Sequence, residues 1–471
     1  MSETLQYDAV IIGAGPAGIF TALEISEKKP DARVLIVDMG RALKSRVCPM
    51  RTTGKCMNCQ PCAIVHGWAG AGAFSDGKLS LSPEVGGHIS DYVGEKEAMA
   101  LLRYADEQYL RFGAPQEIHG LNTPMVDHFR YEASKHNIHL VPCPVRHLGT
   151  EHAAAVLGAM YDHLIEKTNT EFAERTAAQE LLVEDGHIRG VVLQDAQGNR
   201  RQCRAPFVVA APGRGGAAWL AEQSHALGLE VLNNEVDIGV RVEVPNAVMD
   251  HLTEHLYEAK LIYYSDTYEN KVRTFCMNPG GVVSEEHYEG GIAVVNGHSY
   301  GDKSLWTENT NFSILVSTHF TEPFNQPIEY GRYIAKLANM LTGGPIMVQR
   351  LGDLLQGRRT DASRLAKSTT RPTLSSAVPG DLSFVLPNRY LQSIVEALRA
   401  FDKLAPGLYS RNTLLYGVEV KFYSSKVSVA NNFETKVAGL YTIGDGAGIT
   451  RGLMQASCTG VVVARDIVSK L

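Results

Sequence analysis

The sequence predicts an α/β protein with a parallel sheet, flanking helices and a β-meander, joined to a second α+β unit on an antiparallel sheet. Three observations carry this prediction. The chain opens on an apolar run entering a glycine turn, Tyr7-Asp-Ala-Val-Ile-Ile-Gly-Ala-Gly-Pro-Ala-Gly18. More than 400 residues later a second apolar run ends in Gly-Asp, Gly439-Leu-Tyr-Thr-Ile-Gly-Asp-Gly-Ala-Gly448. Between them, Val236-Asp-Ile-Gly-Val-Arg-Val-Glu-Val244 alternates with the period of an antiparallel strand.

The elements follow in order. Residues 8–13 form a buried strand, Pro16 to Glu27 has helical spacing, and Arg33 to Asp38 reads as the next parallel strand. Residues 40–90, rich in Gly, Cys and Ser, read as loop, and Glu95 to Phe112 as helix. Pro115, Pro124, Pro142 and Pro144 make 113–150 irregular. Ala153 to Lys167 is a helix. Glu180–Val183 and Ile188–Leu193 form a hairpin through Asp185-Gly-His. Phe207-Val-Val-Ala-Ala-Pro-Gly213 is another buried strand. Further strands are expected at 261–265, 272–277 and 291–296, and helices at 330–341 and 391–404. The expected division is a discontinuous first domain (1–92, 146–235 and 411–471), a mostly helical and irregular insertion (93–145) and a second domain (236–410).

A hydrophobic content of 44% with 20% charged residues fits a soluble globular chain. The net charge of −6 gives no general reason to bind nucleic acid or an anionic membrane. No run reaches the ~18 apolar residues that span a bilayer. The polar, acidic first residues are unlike a secretory signal, so a cytoplasmic location is expected.

The first glycine loop has the chemistry of a dinucleotide cradle. Gly13 permits the tight turn, Gly15 lets backbone approach a pyrophosphate, and Gly18 allows close helix–strand packing. Asp38 lies 20 residues beyond Gly18, the spacing of a carboxylate that bonds a ribose. In the distal segment, Asp445 is placed to accept from ribityl hydroxyls. A helix starting near Gly452 would turn its positive end to a flavin. One FAD held by both ends of the chain accounts for the pair.

With these motifs, the chain resembles the glutathione-reductase-type FAD superfamily. More narrowly it resembles FAD-dependent dehydrogenases of unassigned reaction, distantly similar to geranylgeranyl reductases. The narrower likeness rests on Gly67-Trp-Ala-Gly-Ala-Gly-Ala-Phe-Ser-Asp-Gly-Lys-Leu79, Gly417-Val-Glu-Val-Lys-Phe-Tyr423 and Gly444 to Ser457. It covers essentially the whole chain. The resemblance implies a Rossmann-like FAD-binding domain. Its cofactor contacts would be Gly13, Ala14, Gly15, Pro16, Ala17, Gly18, Asp38, Met39, Gly70, Gly72, Ala73, Ser75, Ala177, Ala211, Gly213, Gly444, Asp445, Gly452, Leu453 and Met454. One departure is Pro212, where the superfamily has threonine; it removes a backbone donor.

Candidate catalysts are Asp76, Lys78, His298, Glu419, Lys421 and Arg451, each with a bland structural alternative. Arg350, Arg358, Arg359 and Arg364 are candidates for holding an anion or a solvated surface. Cys48, Cys56, Cys59 and Cys62 fall within 15 residues and could ligate an iron–sulfur cluster or zinc, form a dithiol pair, or stay free. The expected function is an FAD-dependent oxidoreductase, a dehydrogenase or reductase passing hydride between flavin N5 and a small-molecule substrate. That substrate is expected between the two domains, against the flavin ring. NAD(P)H or a ferredoxin-type electron-transfer partner would be the reductant. A flavin-dependent monooxygenase and a flavoprotein of RNA modification stand as alternatives.

Overall fold

The computed structural model describes residues 5–471 apart from 54, 55, 58, 122, 289, 322, 325, 424 and 425. The chain divides into two compact units, Met1–Gln116, Thr150–Asn234 and Tyr423–Leu471 in one, Glu117–Gly149 and Glu235–Phe422 in the other. It is a mixed α/β protein, with one parallel sheet and several antiparallel ones.

The first unit is built on five parallel strands in the spatial order Leu440–Thr442, Phe207–Ala210, Ala9–Ile12, Val34–Val37 and Thr170–Ala173. The three central strands of the five are apolar and almost wholly buried, as a parallel sheet covered on both faces requires. Helix Pro16–Lys28 begins on Pro16, whose fixed φ suits a first helical position. It packs against the last helix, Leu453–Lys470, and Gly460 makes the close approach possible. A Cβ at Gly460 would lie 2.3 Å from the Ala17 carbonyl oxygen. The meander Ala177–Glu184, His187–Gln194 and Arg200–Arg204 completes this unit. The hairpin turn falls at Asp185 (φ 52°) and Gly186 (φ 75°), the positive-φ pair that a two-residue connection needs.

The second unit is an eight-stranded sheet in which Val236–Pro245 sits between Leu414–Phe422 and Asn309–Thr318. Val236, Ile238, Val240, Val242 and Val244 face a core shared with helices Pro327–Thr342 and Asn388–Phe401. The alternate residues Asp237, Arg241 and Glu243 occupy the opposite face, yet they are also fully buried. Tyr416, Val348 and Leu414 pack beneath the hairpin Val282–Tyr288 and Ile292–His298.

Three expectations are corrected. The stretch 113–150 is not irregular: it holds helix Pro124–Ser134 and strands Ile138–Val141 and Val145–His147. Pro124 starts that helix, and Thr123 caps it through the Val126 amide. Residues 117–149 also join the second unit, where Ile138–Val141 pairs with Lys260–Tyr264. Residues 411–422 likewise belong there, because Leu414–Phe422 pairs with Met347–Arg350 and Val236–Pro245.

Candidate functional site

In the first unit, both ends of the chain converge on the Gly13–Gly18 turn. A Cβ at Gly13 would meet the Ala211 oxygen at 2.1 Å, and one at Gly18 the Gly13 oxygen at the same distance. Glycine is therefore demanded by backbone contact at both positions. Gly15 differs: nothing lies within 4 Å of its notional Cβ, so space opens at the helix start it caps. No side chain caps that end, which leaves its first-turn amides without a side-chain acceptor from the cap, the arrangement that suits an anion.

The other motifs gather around this turn. The Ala69 amide donates to the Ala14 carbonyl at 2.7 Å, and Gly70 passes Gly15 closely enough that a Cβ would stand 3.3 Å from its Cα. A Cβ at Gly72 would meet Leu453 at 2.8 Å, and one at Gly444 would meet Ala17 at 3.2 Å. Gly213 (φ 62°) packs against Gly446, and Ser75 Oγ donates to the Gly72 carbonyl at 2.9 Å. Gly452 caps the last helix without a side-chain bond, so that helix too presents bare first-turn amides. Asp445 accepts from Thr450 Oγ1 at 2.6 Å and lies 3.9 Å from Arg214.

Asp38 makes a more specific arrangement than its spacing implied. Its carboxylate accepts from the amides of Ala14 (3.1 Å), Gly40 (2.8 Å) and Gly67 (2.7 Å). It therefore ties three loops together. Just beyond it opens a cavity of about 650 Å³, bordered by Met39, Arg41, Arg175 and Ala177. The open ground at Gly15, two uncapped helix starts and this cavity fit an extended, negatively charged dinucleotide.

The candidate catalysts are spread over both units. Asp76 is buried and Lys78 half-buried, with their charged groups 3.5 Å apart. The Arg451 guanidinium lies 3.9 Å from the centre of the Tyr423 ring and 3.4 Å from Asn234 Oδ1. In the second unit His298 ends its strand, half-buried. Glu419 is fully buried and held by Arg241 Nε (2.9 Å) and Nη2 (3.0 Å), with Lys421 Nζ also at 3.0 Å. Burial opposes ionisation of Glu419, but Arg241 and Lys421 outweigh it and hold the carboxyl below its usual range. Arg350, Arg358 and Arg364 converge on buried Asp353, at 4.0, 2.9 and 3.9 Å, so they are part of an internal network.

Two features escape the sequence reading. Arg46 is almost fully buried and donates to the carbonyls of Ala63 (2.9 Å), Ile64 (2.8 Å), Trp68 (2.5 Å) and Gly70 (2.8 Å). Burial lowers its pKa to about 10. In the second unit Tyr257 takes φ 58°, ψ −60° at the end of helix Asn246–Leu256, with the Glu258 amide bonded to the Leu256 carbonyl at 2.7 Å. This γ-turn is costly for a bulky residue, about 1–3 kcal/mol. It sets the ring beside His119 and His147, with Tyr257 Oη 3.0 Å from His147 Nδ1 and 3.1 Å from Ser299 Oγ. Nothing in local periodicity marks either residue.

Among the described residues the cysteine cluster shows no grouping suited to a metal. None of the four is in a disulfide, and among the described residues no three His, Cys, Asp or Glu are grouped to hold an ion. The loop spreads them, with Cys59 and Cys62 at the cavity and Cys48 and Cys56 outside its lining.

Residues 96–257 match the family model of an FAD binding domain, and residues 235–422 that of an FAD-dependent protein, C-terminal domain-like. Over residues 96–422 the chain is thus similar to FAD-binding, FAD-dependent proteins. The second match coincides with the main segment of the second unit. An uncharacterised protein of Clostridium beijerinckii is 27% identical over 491 aligned positions, covering 100% of this chain and 82% of its own. Among solved structures, FrdA of E. coli quinol fumarate reductase is 14% identical (TM-score 0.44), covering 99% of this chain and 71% of its own. Glycine oxidase from Geobacillus kaustophilus is 14% identical (TM-score 0.40), covering 99% and 95%. No helix among the described residues is long and apolar enough to cross a membrane.

Proposed function

We propose that this flavoprotein is a dehydrogenase or reductase acting on a small organic molecule. The carrying observation is the open, uncapped helix start at Gly15, joined by both ends of the chain. Bound FAD supplies the hydride acceptor or donor at N5. The amides after Gly15 would hold the pyrophosphate, and the cavity beyond Asp38 the adenosine. The amides of Leu453 and Met454, at the start of the last helix, would favour negative charge on the reduced ring.

Protons need their own groups. Asp76 and Lys78 form one acid–base pair, the carboxylate buried and the lysine half-buried. Tyr257 Oη is the second candidate, able to hold or pass a proton with His147 Nδ1 at 3.0 Å. The narrower resemblance to dehydrogenases of unassigned reaction, distantly to geranylgeranyl reductases, agrees with this reading. Reduction would come from NAD(P)H or a ferredoxin-type carrier, in the cytoplasm.

The test is an absorbance spectrum of the purified protein, with anaerobic reduction, beside Gly15→Val. A reducible flavin band in the parent, and a folded variant that takes up no FAD, is the expected result. A parent that neither retains nor takes up FAD overturns the proposal.

A further inference from the structure

Two thiols stand where a nucleotide cofactor would be covered. Of the eight cysteines, Cys59 and Cys62 alone line the cavity of about 650 Å³. Met39 and Arg41 border it from just after strand Val34–Val37, Arg175 from the turn before the meander and Ala177 from the meander's first strand. No residue from 70 to 78 lines it, so with FAD bound as proposed above the thiols would border the adenosine end.

The two positions are held unequally. Cys62 is half-buried, and its carbonyl accepts from the Val65 (3.1 Å) and His66 (2.9 Å) amides. The next two carbonyls, of Ala63 and Ile64, are fixed by Arg46 at 2.9 and 2.8 Å. Cys62 is thus anchored to the turn that carries the glycine loop. Cys59, three residues earlier, is exposed. A reagent can reach Cys59, and a group added to either thiol would occupy volume that adenosine needs.

We propose that Cys59 and Cys62 form a disulfide-exchange site at which modification and FAD binding exclude each other. The inference rests on the flavin reading above. In the exchange, a cysteine thiolate attacks one sulfur of a small disulfide such as oxidised glutathione. A new S–S bond forms to the protein, the old one breaks, and the second half leaves as a thiol with the cysteine's proton. The small disulfide is the oxidant. Its glutathionyl group would leave the adenosine end too small for the nucleotide. A reducing thiol would reverse the step and reopen the cavity.

The experiment treats the FAD-loaded protein and its FAD-stripped form with oxidised glutathione and maps adducts by mass spectrometry. Adducts at Cys59 or Cys62 should be about tenfold fewer in the loaded form, a difference in access equivalent to about 1.4 kcal/mol. Cys56 and Cys276 should react alike in both. Modified apoprotein should take up FAD at least about tenfold more weakly and recover on adding dithiothreitol. Cys59→Ser/Cys62→Ser should lose the sensitivity to glutathione. FAD bound stoichiometrically with equal labelling of both forms would overturn the proposal, as would normal FAD uptake by the modified protein. A chain that takes up no FAD in any form fails the flavin reading instead, and the competition with it.

Discussion

Replacing Arg241 with methionine tests what holds the second unit's sheet together. Arg241 is fully buried and donates twice to Glu419, and to Asn311 (2.7 Å), Ser313 (2.8 Å) and the Cys276 carbonyl (3.2 Å). Removing it strands the Glu419 carboxylate, which is also fully buried. Breaking such a pair from one side costs about 3–5 kcal/mol. Lys421, 3.0 Å from Glu419, offsets part of that, which puts Arg241→Met at the lower end, about 3 kcal/mol. Arg241→Met/Glu419→Leu removes both charges. It should be less destabilised than the two single changes added, by about 2 kcal/mol. Hydrogen exchange of the amides in Val236–Pro245 and Leu414–Phe422 reads this unit's opening directly. A single variant within about 0.5 kcal/mol of the parent, or a strictly additive pair, would refute the reasoning.

Other expectations follow from the same contacts. Burial raises the Glu243 carboxyl above its usual value despite bonds from Thr373, Tyr416 and Asn309. The native state then keeps that proton longer than the unfolded chain. Its stabilisation is full below about pH 4.3 and declines as pH rises through the raised native value. Glu243→Gln should abolish that slope, gaining on the parent toward neutral pH in denaturant titrations; parallel curves would contradict it. Gly460→Ala forces a methyl group to within 2.3 Å of the Ala17 oxygen. It should cost about 1–3 kcal/mol and weaken flavin retention, seen in the thermal midpoint and in flavin release. Arg46→Ala should accelerate proteolytic cleavage between residues 59 and 70, and an unchanged digestion pattern would show that those carbonyls need no common donor. Tyr257→Phe should shift the pH profile of turnover if Tyr257 passes a proton; a stability loss with an unmoved profile would mark it as structural.

The glycine turn at 13–18, the hairpin at Asp185–Gly186 and the alternation at 236–244 were legible because each is dictated locally. Backbone sterics demand glycine or positive φ, and a half-apolar strand repeats every two residues. The same logic misled at 113–150. There proline was read as a breaker, while Pro124 in fact opens a helix. It also separated Glu419 from its partner, since a period-two pattern shows which residues share a face but not which strand lies alongside.

By itself, then, the sequence determined a nucleotide-binding turn at one end, a matching segment at the other and an antiparallel block between them. Tertiary structure alone decided that Asp38 binds three backbone amides, that Arg241 neutralises Glu419 and that Arg46 gathers four carbonyls. It also decided that two of four clustered cysteines border a cavity and that the cluster holds no metal geometry among the described residues. The physical reason is range. Helix, turn and strand preferences act over a few residues along the chain. A buried charge or thiol takes its role from groups that long-range packing brings within hydrogen-bonding distance.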